Sequence, residues 1–546
     1  MADLRPTHVT EKVDVAEHTE TISPKVLASE AKSAAEAERQ MTLWTAIKTY
    51  PHAIGWSILL SSTIIMEGYD LALLGNLYAS TPFNQKYGRW VESSQRYEIS
   101  PAWQSALSNG ARAGEIFGLI IAGWAADRWG AKKTTIGFLV LMIITIFALF
   151  FAPNVEVLVL GEILCGIPWG AFQGVTPAYA SEVTPMVLRP YLTTFINACW
   201  VIGQLLAAAV NRGAIDYGDE RSYRIPFGVQ WIWPVLILCG LVFAPESPWW
   251  HVRKGNRDAA RDSLLRLTSC KQTGFNVEET LAMIEHTNEM EKQAKEGVTY
   301  HDCFRGVDIR RTEIVVGLGI VQTLGGQNLM GYYSYFLRQA GMDERNAFSL
   351  SIANSALGLV GTCGSWALMT WFGRRRIHFS GLCGQLLILV IVGSISFAMS
   401  NTSVWATAGM LILFTFVYDF AVGPVTYCLV SELSSTRLKA KTIVMARAGY
   451  NLSNIFVNVM TNYQLSSAAW NWGSRTAYFW AGTCFLCVVW VFFRLPEPKG
   501  RTYAELDLLF EQRVPARKFA KTTVNPYTTE ATDGKESIRK SETGSE

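Results

Sequence analysis

Twelve runs of mostly apolar residues dominate the chain, each close to the ~20 residues that a helix needs to cross a hydrocarbon layer. They begin near His52, Ala102, Thr134, Val157, Leu192, Val229, Thr312, Ala347, Ile377, Val404, Lys441 and Thr476. A single such run can also be a buried helix of a large soluble protein, but twelve in series with short polar breaks leave almost no room for that reading. In lipid every backbone N–H and C=O has to be satisfied within the segment, so each run is predicted to be a helix. Six precede the polar stretch Ser247–Asp308 and six follow it. The expected fold class is an all-α polytopic membrane protein, twelve transmembrane helices in two six-helix halves with a cytoplasmic helical loop between them.

Composition fits that frame. Of 546 residues, 50% are hydrophobic and only 17% charged. A formal net charge of +3 gives no electrostatic footprint for a nucleic-acid partner. Cys165, Cys199, Cys239, Cys363, Cys383, Cys428, Cys484 and Cys487 lie in apolar runs without metal-type spacing, so they read as small hydrophobes and no metal site is expected. The first forty residues are polar and lack the apolar core of a signal peptide. The expected organisation is a disordered cytoplasmic tail at 1–50, an N-terminal half at 51–246, a loop at 247–308, a C-terminal half at 309–496 and a cytoplasmic tail at 497–546. Within the loop, Ala259, Ala260, Leu264, Leu265 and Leu267 form a rough helical stripe, the mark of short helices lying under the bundle.

Basic clusters in "DRWGAKKT", "GRRRI" and "STRLKAKT" fall on the same side as the loop and both tails, which the positive-inside pattern assigns to the cytoplasm. The opposite loops also hold Lys86, Arg89, Arg96, Arg212, Arg221, Arg224, Arg338, Arg345 and Arg475, spread out and mixed with Asp216, Asp219 and Glu220. The triplet Asn401-Thr402-Ser403 falls in a short outer loop, too close to the bilayer for glycan attachment to be expected.

Charges inside the apolar runs are the most informative exceptions. In "IIMEGYDLALLGNL" Glu67 and Asp70 are three residues apart and therefore share a helix face. Each costs about 2.5–3.5 kcal/mol at mid-membrane, so both are expected to face a wet cavity between helices. The second run adds Glu115 and the eleventh Arg447. Together they make a proton-and-charge site: a carboxyl that loads a proton on one side can release it on the other if its surroundings change as the halves rock. The alternative is a fixed set of charges that orders helices, and Arg112, one turn before Glu115, can pair with it.

Loop motifs carry a family resemblance. "GWAADRWGAKK" (Gly123 to Lys133) and "WFGRRR" (Trp371 to Arg376) occupy equivalent places in the two halves and resemble the repeated loop signature of the major facilitator superfamily. "PESPWW", "PEPKGR", "YASEVTP" and "SELSSTRLKAK" look like the sugar porter family, over nearly everything from Ile54 to Gln512. "MEGYD", "GEILCGIPWGAFQG", "LTTFINACWVIGQLLAAAV" and "EQRVPARKFA" resemble its fungal α-glucoside (maltose-type) permease branch. The chain departs from many sugar porters at Glu162, where they carry Arg, at Thr323, which follows Gln322 where they have a Gln pair, and at Tyr427, where they often have Trp.

The resemblance implies a secondary active transporter that imports an α-glucoside such as maltose by proton symport through alternating access, with carboxylates matching Glu67, Asp70 and Glu115 and an Arg matching Arg447 in the coupling. A facilitative or proton-coupled carrier of another sugar or polyol, and a sugar sensor of transporter ancestry, are the alternatives. An enzyme would need a nucleophile–base pair, metal ligands or a nucleotide fingerprint, and none is present in the sequence. No cofactor is expected beyond the proton as coupling ion. The expected partners are a small-molecule sugar and the lipid bilayer, for a monomeric, multi-pass plasma-membrane protein.

A sugar needs neutral donors and acceptors beside an aromatic face. Gln322, Gln327, Asn328, Tyr332 and Tyr333 supply both within the seventh run, with Gln204, Tyr427, Asn451 and Asn454 as further candidates. Such amides also stabilise helix packing in lipid, typically by about 0.6 kcal/mol. Glu182 and Glu432 end the fourth and tenth runs in related positions, and Arg128, Arg374, Arg375, Arg437 and Lys439 can reach them if the bundle closes inward. Such pairs would form a cytoplasmic gate; positive-inside anchoring is the plainer reading of the bases.

Overall fold

The computed structural model describes residues 38, 40–92, 94–269, 275–295, 300–397, 401–434, 438–501, 503–522 and 524. Helical spans occupy Pro51–Leu77, Pro101–Trp129, Ala131–Phe150, Val155–Val183, Arg189–Ala214 and Arg221–Leu241, numbered one to six, in the first half. Spans seven to twelve are Asp308–Gly331, Glu344–Trp371, Arg374–Ile395, Thr402–Leu433, Lys439–Leu465 and Thr476–Arg494. Ten are long and apolar enough to cross a membrane by length and composition alone. Spans two and eleven are not among them, and these are the helices that carry Arg112, Glu115 and Arg447.

Local signals set the helix ends. Pro51 and Pro101 start spans one and two in the first turn, where a missing N–H costs nothing. The Asn154 side chain accepts from Val157 N at 3.0 Å and caps span four. Spans two and four then lie backbone to backbone. A Cβ on Gly114 or Gly118 would overlap the backbone of Ile163 to Ile167, and one on Gly166 or Gly170 that of Ala111 to Glu115. This spacing of small residues drives close helix approach in lipid and fixes where the side chains of both helices point.

The inter-half loop forms three helices, Pro248–Arg253, Arg257–Leu267 and Val277–Lys295, around a small core of Val252, Ala260, Leu264, Leu281 and Ile284. Leu265, expected on the buried stripe, is exposed instead, because the Ala260–Leu264–Leu267 face packs and Leu265 falls beyond its edge. Both tail segments include helices next to the bundle. Leu43–Thr49 is already helical, with Ala46 buried, and Tyr503–Glu511 packs Leu506, Leu509 and Phe510 inward against Phe519. Arg311, at the start of span seven, holds this helix by donating to Asp507 and to the Leu433 and Ser434 carbonyls. Residues 1–37 and 525–546, the rest of the expected tails, lie outside the described residues.

One end of the bundle carries a two-stranded hairpin, Arg89–Val91 with Arg96–Glu98; the opposite end carries the loop helices. At the hairpin end the halves are joined by many polar contacts. Ser108 meets Tyr332 at 2.7 Å, Ser334 donates to Asn76 at 2.7 Å, Arg96 to Gln339 at 2.6 Å, Thr81 to Glu344 at 2.7 Å, and Arg345 pairs with Asp216 at 2.6 Å.

Candidate functional site

Two broken helices shape a chamber between the halves. In span seven the ladder widens at Thr323–Gln327, where Gly326 sits at φ +94°, a conformation that favours glycine and lets the chain kink. Span ten has a similar widened turn at Tyr418–Val422. These turns bring Gln322, Gln327, Tyr418, Asp419 and Tyr427 opposite Asn197, Trp200 and Gln204 of span five, around about 330 Å³ of empty volume. A second chamber of about 620 Å³ adjoins it, sharing Trp200, Gln204, Gln327, Met330 and Tyr450 and adding Arg112, Asn328, Tyr332, Asn454 and Asn458. The lining mixes amides with aromatic faces, the side-chain chemistry of small-molecule sites.

Behind the chamber wall runs a charged network. Arg112 Nη1 donates to the two oxygens of Glu115 at 3.0 and 2.9 Å and to Glu67 Oε1 at 3.5 Å, and its guanidinium lies 5.9 Å from the Trp200 ring centre. Gln173 of span four donates to Glu67 Oε1 at 2.6 Å and accepts from Arg447 Nε at 3.0 Å. Arg447 Nη1 donates in turn to the Tyr427 hydroxyl at 3.4 Å, and its guanidinium stacks 4.8 Å from the Tyr450 ring centre. Gln173 thus connects an acid of the first half to a cation of the second, and Arg447 reaches Tyr427 of the chamber wall. Arg112 and Glu115 share one helix face by their spacing of three, so the sequence alone places that pair together.

Asp70 belongs to a different environment. Its Oδ1 accepts from Gln230 Nε2 of span six at 2.5 Å, and its carboxyl lies within hydrogen-bonding reach of Glu162 of span four. Glu67, Asp70, Glu115 and Glu162 are all fully buried and line neither chamber, so the expectation that Glu67 and Asp70 face a wet cavity is corrected here: Arg112 stands between Glu67 and the space. The physical reason is that span one packs its acid-bearing face against spans two, four and six.

Most sugar candidates reach the chambers: Gln204, Gln322, Gln327, Asn328, Tyr332, Tyr427 and Asn454 are in the lining. Asn328 is already engaged, donating to Asn458 at 2.6 Å, and Asn458 donates to Asn109 across the halves at 3.1 Å. Asn451 is fully buried and lines neither chamber. Tyr333 turns the other way and donates to the Ala408 carbonyl at 3.1 Å; six residues past Gln327, it falls about 240° further round the helix.

At the loop end Glu182 accepts from Arg253 at 2.7 Å and from Ser247, and Glu432 pairs with Arg374 at 3.3 Å, each within its own half and the adjoining loop. Arg128 lies over the Trp124 ring at 5.8 Å, and Arg375 donates to the Phe492 carbonyl at 2.8 Å. Arg437 lies outside the described residues, as does the Lys439 side chain.

Several residues escaped the sequence reading. Asp419 is a lone carboxylate in an apolar run, the signal that singled out Glu67, and it was available in "VYDFAVG". Gln173 and Gln230 gave only the weaker sign of an amide in an apolar stretch. Glu246 and Glu497 explain the paired "PES" and "PEP" motifs. Glu246 accepts from Lys132 N at 3.2 Å and Glu497 from Arg375 N at 3.1 Å, so each caps the basic turn of its own half. Burial pushes the Glu246 carboxyl up, while these backbone donors pull it back.

A bundle of two six-helix halves, latched at one end around a polar chamber near mid-height and built on broken helices, is the architecture of an alternating-access membrane carrier. Residues 56–510 match the family model described as Sugar (and other) transporter. The maltose permease MAL61 of Saccharomyces cerevisiae is 41% identical over 503 residues, 91% of this chain and 82% of the relative. The α-glucosides permease MPH3 of the same species is 41% identical over 505 residues, 91% of this chain and 84% of the relative. Among solved structures, a partially occluded inward-open conformation of the xylose transporter XylE from E. coli superposes with a TM-score of 0.69 at 20% identity, covering 83% of this chain and 100% of that one. The chain belongs to the sugar transporter family. Its fold is that of the major facilitator superfamily, and it is a multi-pass membrane carrier of a small-molecule sugar rather than an enzyme.

Proposed function

We propose that the protein imports an α-glucoside such as maltose across the plasma membrane by proton symport, with the hairpin end outside and the loop helices and both termini in the cytoplasm. The relatives named as maltose and α-glucoside permeases support the substrate class. The observation that supports coupling is the Glu67–Gln173–Arg447–Tyr427 chain, which ties a buried acid to the sugar chamber across the two halves. Sugar seated against Tyr427, Gln322 and Gln327 draws the halves together; their separation breaks the Gln173–Arg447 link and changes the charge that Glu67 meets. Glu67, Asp70, Glu115 and Arg447 form the coupling set, the proton is the coupling ion, and the carrier works as a monomer in the bilayer.

The test is uptake of labelled maltose in a transport-null yeast. Accumulation above the external concentration, abolished by an uncoupler and accompanied by alkalinisation of the medium, is the expected result. Accumulation that survives the uncoupler with no pH change overturns the symport reading, and absence of maltose uptake beside uptake of another sugar overturns the substrate class.

A further inference from the structure

The acids of the coupling set do not share one environment. Glu67 and Glu115 face the Arg112 guanidinium, whereas Asp70 faces Glu162, a residue at which this chain departs from the basic residue of many sugar porters. Asp70 Oδ2 and both carboxyl oxygens of Glu162 are buried with no donor, although the two groups lie within hydrogen-bonding reach of each other. The groups packed around them are known from every side. Span one contributes Tyr69 next to Asp70, and Tyr78 lies near both acids. Span two contributes Glu115, itself held by Arg112; span three Thr145 and span four Cys165; span six Gln230. Among the described residues no guanidinium or ammonium group bonds to Asp70 or Glu162. Two buried carboxylates within hydrogen-bonding reach disfavour ionising together, and an acceptor facing an acceptor is satisfied only with a hydrogen between them.

We propose that Asp70 and Glu162 hold one proton between them, as a carboxyl on one residue donating to the carboxylate of the other, and that this is the proton moved with the sugar. The inference rests on the symport reading and adds Glu162 to it. In the cycle the proton comes from external water to a carboxylate oxygen of the open, hydrated pair. It stays in the O–H···O⁻ bond while the bundle is sealed, and leaves to cytoplasmic water when the opposite face opens. The net charge of the pair is −1 in the sealed, loaded carrier and −2 in the open states, the empty carrier returns with water kept between the two carboxylates, and no other bond is made or broken. Span one links the two clusters, since Glu67 lies one turn from Asp70 and feels Arg447 through Gln173.

Purified protein in proteoliposomes separates the possibilities. Infrared spectroscopy at neutral pH should show a protonated-carboxyl stretch that Glu162→Gln and Asp70→Asn both remove and Glu67→Gln leaves in place. In maltose transport, Glu162→Gln should still catalyse exchange between labelled and unlabelled sugar, but its proton-driven accumulation should fall to about one-to-one with the bath. A band untouched by either substitution overturns the shared proton, and wild-type accumulation by Glu162→Gln overturns its transport role. If Glu162→Gln does not exchange sugar, Asp70→Asn is read the same way, because it removes the pair from the other side. Failure of the symport reading looks different: the wild-type protein itself then does not accumulate maltose on a proton gradient, while the infrared band is still present.

Discussion

Two acidic clusters lie about one helical turn apart along span one, and they solve the same electrostatic problem differently. Around Glu67 a guanidinium from span two sits between two carboxylates, and an amide passes the remaining hydrogen-bonding capacity on to Arg447. Around Asp70, among the described residues, an amide and a second acid take the place of a cation. Compensation by a cation makes a cluster sturdy. Compensation by a shared proton makes the cluster's charge depend on access to water. A carrier needs both: a fixed post that senses the other half, and a neighbour whose proton can come and go.

The largest expected effect comes from breaking the compensated cluster. Arg112→Leu strands Glu67 and Glu115 in the core, a loss on the order of 3–5 kcal/mol for one partner of a buried pair, so folded carrier at the cell surface should nearly vanish. Detergent size-exclusion profiles measure this, and adding Glu115→Gln to the same chain should bring part of the protein back. Removing an acid from the other cluster should behave in the opposite way, since Glu162→Gln puts an amide donor beside the Asp70 carboxylate in place of a second acid. Its surface level should stay near that of the native chain; a collapse as deep as that of Arg112→Leu would erase the distinction between the clusters.

Next in size is Glu67→Gln, which keeps the shape but removes the charge facing Arg112 and the Gln173 bridge. Sugar exchange should persist while accumulation is lost and the pH dependence of uptake flattens. Retained pH-dependent accumulation would place coupling wholly at Asp70 and Glu162. Gln173→Leu is a milder cut: it removes bonds to charged groups worth about 1.5–3 kcal/mol each in other proteins, leaving every acid in place. Uptake per carrier at the surface should slow, and a per-carrier rate equal to wild type would mean that the cross-half link does not pass information. Smallest is Gln322→Ala on the chamber wall, away from both clusters. A neutral hydrogen bond worth about 0.5–1.5 kcal/mol predicts a two- to tenfold rise in apparent KM for sugar with coupling intact; an unchanged KM removes Gln322 from the binding surface.

The chain's own order of residues determined the twelve spans, the six-plus-six division and the presence of costly charges inside the bundle, because crossing a membrane is a local property of about twenty residues at a time. The seventh-span amides and the fourth-span acid are equally visible there. The family was legible in loop motifs whose role the structure now supplies, since Glu246 and Glu497 cap the basic turns to which those motifs belong. Tertiary structure alone decided partnership. Glu67 and Asp70 share a helix face by spacing, yet one meets Arg112 and Gln173 while the other meets Gln230 and Glu162. That division follows from how closely spans two and four approach through Gly114, Gly118, Gly166 and Gly170, and from where spans one and six cross them. In span seven Gln327 meets the chamber while Tyr333 meets the Ala408 carbonyl of span ten. Spacing along one helix specifies which residues share a face. Which neighbour that face meets depends on the rotation and distance of other helices, and these are set by packing over the whole bundle.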